Sequence, residues 1–154
     1  MNFKKIDIGR QANFILALLL IHFLFFGYIS NRYEKAIGED ILYLHKIMFN
    51  SYSFISLIIL FAIVFLMVFR EQFFEYGIRN NIWLTPFIIV ESWIWYIFIN
   101  GFDLFPAIGR FFTSYEGYLT IFSLLSFNFF TAILAAIAKE KYKKYIEKIK
   151  EVSI

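Results

Sequence analysis

Ionisable and hydrogen-bonding side chains set inside long apolar runs are where chemistry would be sought in this chain of 154 residues, because each is costly to place there. They are His22, Glu91, Asn128 and Thr131. An ionised carboxylate at the centre of a bilayer costs about 2.5–3.5 kcal/mol on the insertion scale, so Glu91 is expected to be neutral or to face a partner, with His22 the candidate. Counting residues from the helix ends at about 1.5 Å each puts His22, Glu91 and Asn128 at one level near the midplane. Two chemistries are open. Glu91 and His22 exchange a proton or bind a cation, as intramembrane acids do in transporters, or the four residues are interhelical hydrogen-bond glue at about 0.6–2 kcal/mol per contact. The runs hold no second charge and the chain shows no inverted repeat, which favours glue.

Signals for catalysis are sparse. His45 is the only other histidine, the adjacent Glu39 and Asp40 read as a solvated loop, and no HExxH, GxSxG or phosphate loop occurs. With no cysteine there is no thiolate nucleophile, disulfide or cysteine metal site. Neither an enzymatic activity nor a cofactor is expected.

The elements that position these residues are four apolar runs, near 12–29, 52–69, 82–100 and 117–138. Each is long enough for a hydrocarbon core about 30 Å thick. Sixty per cent hydrophobic residues and a mean hydropathy of +0.66 exceed the roughly 45–50% apolar content of soluble domains. The sequence therefore predicts an all-α, polytopic membrane protein, one domain of four transmembrane helices followed by a basic tail over 139–154. No small-residue cleavage site follows Phe25, Phe26, Gly27 and Tyr28, so the first run is expected to be a retained helix rather than a signal peptide. Pro86 is read as a helix starter in the first turn of the third helix. The 22 Phe and the abundance of Ile and Lys hint at an AT-rich, bacterial coding sequence.

Basic residues near helix ends set orientation. Lys4, Lys5, Arg10, Arg70, Arg79 and the six lysines from Lys139 to Lys150 fall on one side, and Arg32, Lys35, Lys46 and Arg110 on the other. Both termini are thus expected in the cytoplasm, with loops 30–51 and 101–116 outside. The net charge of +3 follows from this tail and topology, and no nucleic-acid motif accompanies it. In the tail Tyr142, Tyr145, Ile146, Ile149 and Val152 recur at helical spacing opposite lysines, which predicts an amphipathic helix lying on anionic lipid.

Both outer loops are candidate docking sites. Phe102, Phe105, Phe111 and Phe112 surround Pro106 and Gly109 in the second, beside Asp103 and Arg110. An interfacial aromatic belt is the plain reading, and contact with another protein at the outer leaflet is the functional one. In the first loop Ile41, Leu44, Ile47 and Met48 have helical spacing and predict a surface helix.

Three strings carry a family resemblance. ArgGlnAlaAsnPheIleLeu (10–16), LeuThrProPhe (84–87) with Tyr96 and Phe98 downstream, and PheAspLeuPheProAlaIleGlyArgPhePhe (102–112) together resemble the immunity proteins that protect bacteria against pore-forming colicins of the A, B and N type. The resemblance extends from Arg10 to Ala138; the first outer loop is shorter, and the lysine-rich tail longer, than that family's pattern. It implies four transmembrane helices in the bacterial inner membrane that bind the helices of a toxin's channel-forming domain before the pore opens, with no reaction or cofactor. Phe102, Asp103, Phe105, Arg110, Phe111 and Phe112 are the candidate partner-binding residues. The alternatives are a small proton- or cation-coupled transporter or channel subunit using Glu91, and an accessory subunit of a larger membrane complex.

Overall fold

The computed structural model describes residues 8–28, 42–49, 53–71, 73–103 and 105–152. Lys4, Lys5, Arg32, Lys35, the Glu39–Asp40 pair and Ile41 lie outside the described residues. Those described are helical almost throughout, with no strand among them. Helix α1 (Ile8–Leu20) runs into a π-helical segment (Ile21–Phe26), followed by α2 (Tyr43–Phe49), α3 (Ser53–Arg70), α4 (Phe74–Asn100), α5 (Phe105–Thr113) and α6 (Tyr115–Val152). Helices α4 and α6 are each long and apolar enough to cross a membrane. A third crossing results if the bent pair of α2 and α3 is taken as one span, and α1 contributes a shorter apolar stretch, Gln11–Phe26.

Helix α6 packs along α3 and α4, and α1 packs on the same two helices. Polar side chains set their register. Asn13 in α1 donates through Nδ2 to Glu71 Oε1 (3.0 Å), just beyond α3, and to the Met67 carbonyl (2.9 Å); Asn80 of α4 donates to the same carboxylate oxygen (3.2 Å). The start of α1, the end of α3 and the start of α4 therefore lie together, as up-down packing requires. Arg70 and Arg79 share that end. Lys46 and Arg110 belong to the other, where α2 and α5 cover the bundle.

The burial pattern departs from that of a protein folded in water, because the exterior is as apolar as the interior and polar side chains are drawn inward. Phe23, Phe54, Leu66, Trp83, Phe122 and Phe130 are exposed, whereas Asn13, Ser56, Asn81, Thr85, Asn128 and Thr131 are buried beside Ile21, Phe25, Leu60, Leu84 and Leu124. Lipid explains this arrangement, because apolar side chains gain nothing by leaving it while polar ones must find partners inside the bundle.

Several expectations change. Helix α4 starts at Phe74, well before 82, so Pro86 lies inside the helix and not in its first turn. Lacking an N–H, it leaves the Ile82 carbonyl without its usual i+4 donor. The early start is held by Asn80 and Asn81, whose side chains bond to Glu71 and to the Asn128 carbonyl. The segment read as loop 101–116 contains α5. It begins after Gly101, which ends α4 at φ +83° and ψ −170°, a conformation essentially reserved for glycine, while its N–H caps the Ile97 carbonyl at 2.8 Å.

Helix α2 is not a surface helix. Leu44, Ile47 and Met48 are buried with Leu42 and Tyr43, and the element packs against α3, α4 and α6. Its apolar spacing is the same for a helix on lipid and for one seated on other helices, so only packing separates the two. Nor is the basic tail a separate helix: α6 continues to Val152 without a break. Tyr142 makes a ring contact with Phe69 (centroids 5.9 Å), and Tyr145 and Ile149 remain exposed.

Candidate functional site

The most concentrated intramembrane chemistry lies between the π segment and α4. His22 Nδ1 stands 2.7 Å from Glu91 Oε2, with side-chain exposures of 27% and 18%. At that separation the two atoms share a hydrogen bond, with one proton between them. The expected partnership of these residues is therefore present. The π segment, absent from the sequence reading, contains the histidine. An i→i+5 turn redirects the side chains that follow it, and such turns frequently accompany functional sites.

Trp95, one turn beyond Glu91 on α4, completes the cluster. Its ring lies against His22 (centroids 5.2 Å), and Phe23 meets the imidazole edge-on at 4.9 Å. The indole Nε1 is buried and has no acceptor among the described residues.

Asn128 is not at this level. Its Nδ2 donates to Thr85 Oγ1 (3.1 Å) and its backbone carbonyl accepts from Asn81 Nδ2 (2.6 Å). Those partners precede Glu91 by six and ten residues on α4, about 9–15 Å along the axis. Depth counting failed because α4 begins at Phe74, well before the apolar run that was used to set its inner end. Thr131 also departs from the expected role. Its hydroxyl donates to the Phe127 carbonyl of its own helix (2.8 Å), and among the described residues it makes no bond to another helix.

The buried acid is Glu71, which the sequence reading does not single out: it is only 5% exposed although it follows Arg70 directly. The available signal was an acid flush against the end of an apolar run, with asparagines at 13 and 80 able to reach it.

At the opposite end His45 Nδ1 lies 2.9 Å from Thr120 Oγ1. The threonine hydroxyl donates its one proton to the Glu116 carbonyl at 2.7 Å, so the imidazole N–H is the donor in this contact. A general base would have to accept that hydroxyl proton instead. The pair thus fastens α2 to α6.

The aromatic residues beside this end divide sharply. Phe102 and Phe105 are 92% and 86% exposed, with Phe98 and Phe112 also on the surface and Asp103 and Arg110 exposed beside them. Phe111 points inward at 2% exposure and meets Trp93 edge-on (5.9 Å), as does Phe112 (5.9 Å). Helix α5 is thereby anchored on its inner side and presents an aromatic face on its outer side. Among the described residues no group of three or more His, Asp or Glu is placed to hold a metal ion.

Comparison of the chain with protein-family models, with curated proteins and with solved structures finds no match.

Proposed function

We propose that the chain is a four-span protein of the bacterial inner membrane that neutralises a pore-forming toxin by binding its channel-forming helices. The observation that carries this reading is the exposure of Phe102, Phe105 and Phe112 within one short segment that also exposes Asp103 and Arg110. It sits on the segment with the strongest resemblance to colicin immunity proteins. Exposed phenylalanines at a bilayer boundary suit both lipid and an incoming apolar helix, and the flanking opposite charges supply directional contacts to a protein.

The lengths of the elements support the four-crossing reading. α1 with its π continuation and α3 (18 residues) each approach the hydrocarbon thickness, and α4 and α6 exceed it. The end that carries Arg70, Arg79 and the tail lysines is the cytoplasmic one by the distribution of basic charge, which directs α2 and α5 outward.

Expression in a sensitive bacterial strain is expected to give survival against one member of a panel of pore-forming toxins. Sensitivity to every member would overturn the proposal. The double variant F102A/F105A is expected to lose most of that protection while reaching the membrane at the normal level.

One observation favours a second reading. The His22–Glu91 contact can carry a proton, so a proton-coupled transporter or channel subunit is the alternative. Proton flux into vesicles that is abolished by both Glu91→Gln and His22→Ala would select it; flux indistinguishable from empty vesicles would reject it.

A further inference from the structure

At the end of the bundle that carries Arg70 and Arg79, a groove of about 360 Å³ opens between α3, α4 and α6. Its walls are of two kinds. Val68, Ile133 and Ile137 provide an apolar side, and Glu71, Lys139 and Lys143 provide charges of both signs. The carboxylate belongs to the fold: Glu71 is 95% buried, and both amides that reach it converge on Oε1. No described residue donates to Oε2.

Opposite charges on one groove normally pair. Here they do not. Among the described residues the ion pairs are His22–Glu91 and Glu140–Lys144, so neither Lys139 nor Lys143 closes on Glu71. Glu140, the groove's other acid, is occupied by Lys144 at 2.7 Å. Lys139 is held below the usual lysine range by partial burial and by the neighbouring charge of Lys143, with Glu71 acting in the opposite sense. Two ammonium groups side by side with a buried carboxylate beyond ion-pair reach fit a ligand that carries both an anion and a cation.

We infer that this groove binds the headgroup of a zwitterionic phospholipid with a primary amine, its ammonium on Glu71, its phosphate on Lys139 and Lys143, and an acyl chain along Val68, Ile133 and Ile137. Position supports the choice. The lysines follow directly on the apolar part of α6, where the membrane reading puts the headgroups, and the apolar walls lie on the side of the apolar run. A primary ammonium donates hydrogen bonds to a carboxylate and a choline headgroup cannot; a glycerol headgroup has the phosphate but no cation to offset the charge of Glu71. This inference rests on the membrane reading and is independent of the toxin.

The test is native mass spectrometry of the full chain in detergent, titrated separately with phosphatidylethanolamine, phosphatidylcholine, phosphatidylglycerol and soluble glycerophosphoethanolamine. The ethanolamine lipid is expected to be retained about tenfold more strongly than the other three, as one charge-assisted hydrogen bond would give. E71Q, which keeps an oxygen for Asn13 and Asn80, is expected to abolish that preference. K139Q/K143Q is expected to weaken retention of all three phospholipids, since each bears the phosphate that the lysines would hold. Equal retention of the ethanolamine and glycerol lipids would overturn the inference, as would a preference unchanged in E71Q or a retention unchanged in K139Q/K143Q. Binding of the soluble headgroup as tightly as the lipid would also overturn it. Circular dichroism of each variant establishes that its helices are intact; if E71Q fails to fold, the ranking of the ethanolamine lipid above the choline and glycerol lipids in the unmodified chain, with weakened retention in K139Q/K143Q, decides the matter.

Discussion

His22→Leu is expected to destabilise the protein by about 2–3 kcal/mol, whereas the double variant H22L/E91L is expected to lie within about 1 kcal/mol of the original. The argument rests on what remains when one partner is removed. With leucine at position 22, Glu91 Oε2 loses the only side-chain partner that it has among the described residues, and the carboxyl must stay unsatisfied among Trp95, Phe23 and the apolar faces of α1 and α4. Protonation limits the cost without removing it, since a carboxylic acid still lacks an acceptor for its proton. Removing both partners leaves no orphan, and two leucines fill a comparable volume. The measurement is reversible denaturation in mixed micelles for the four corners of the double-mutant cycle. If the two single losses simply add in the double variant, the pair contributes nothing as a pair, and the π segment around His22 needs another explanation.

Gly117→Ala should be at least as damaging. A Cβ built at this position would overlap the Phe111 carbonyl oxygen and lie 2.7 Å from its carbon. Those are backbone atoms, so no rotamer change can relieve the contact. Helix α5 must lift from α6, disturbing the inward packing of Phe111 on Trp93 and the bond from the Gly117 N–H to Ser114 Oγ (3.1 Å). A loss of about 3 kcal/mol, at the upper end for overpacking, is expected in thermal melting. Gly109 is the matched control on α5. A Cβ there meets nothing within 4 Å, and alanine should stabilise the exposed helix by up to about 1 kcal/mol. If both substitutions have the same sign, the close approach of α5 and α6 is wrong.

The helical class and the positions of the long elements are legible in the sequence because hydrophobic runs of this length leave little choice. A backbone surrounded by hydrocarbon must satisfy its own hydrogen bonds, and a helix does so locally. The His22–Glu91 contact is legible for a related reason, since a lone acid among apolar residues needs a partner and only one histidine lies within reach. Element ends are less legible. Polar residues such as Glu75, Asn80 and Asn81 look like loop until their partners are known, and this hid both the true start of α4 and the burial of Glu71.

By itself, then, the sequence determined that the chain is helical, that its exterior is apolar, and that basic charge gathers at one end, all of which depend on residue type and short-range spacing. Tertiary structure alone decided that α2 is buried, that Asn128 meets Asn81 and Thr85 rather than the level of Glu91, that Thr131 bonds its own helix, and that Phe111 faces inward while Phe102 and Phe105 do not. Each depends on which helix faces which, and at what height. Periodicity along one segment carries no record of the rotation and axial offset between two helices, because both emerge only when side chains on separate segments interdigitate.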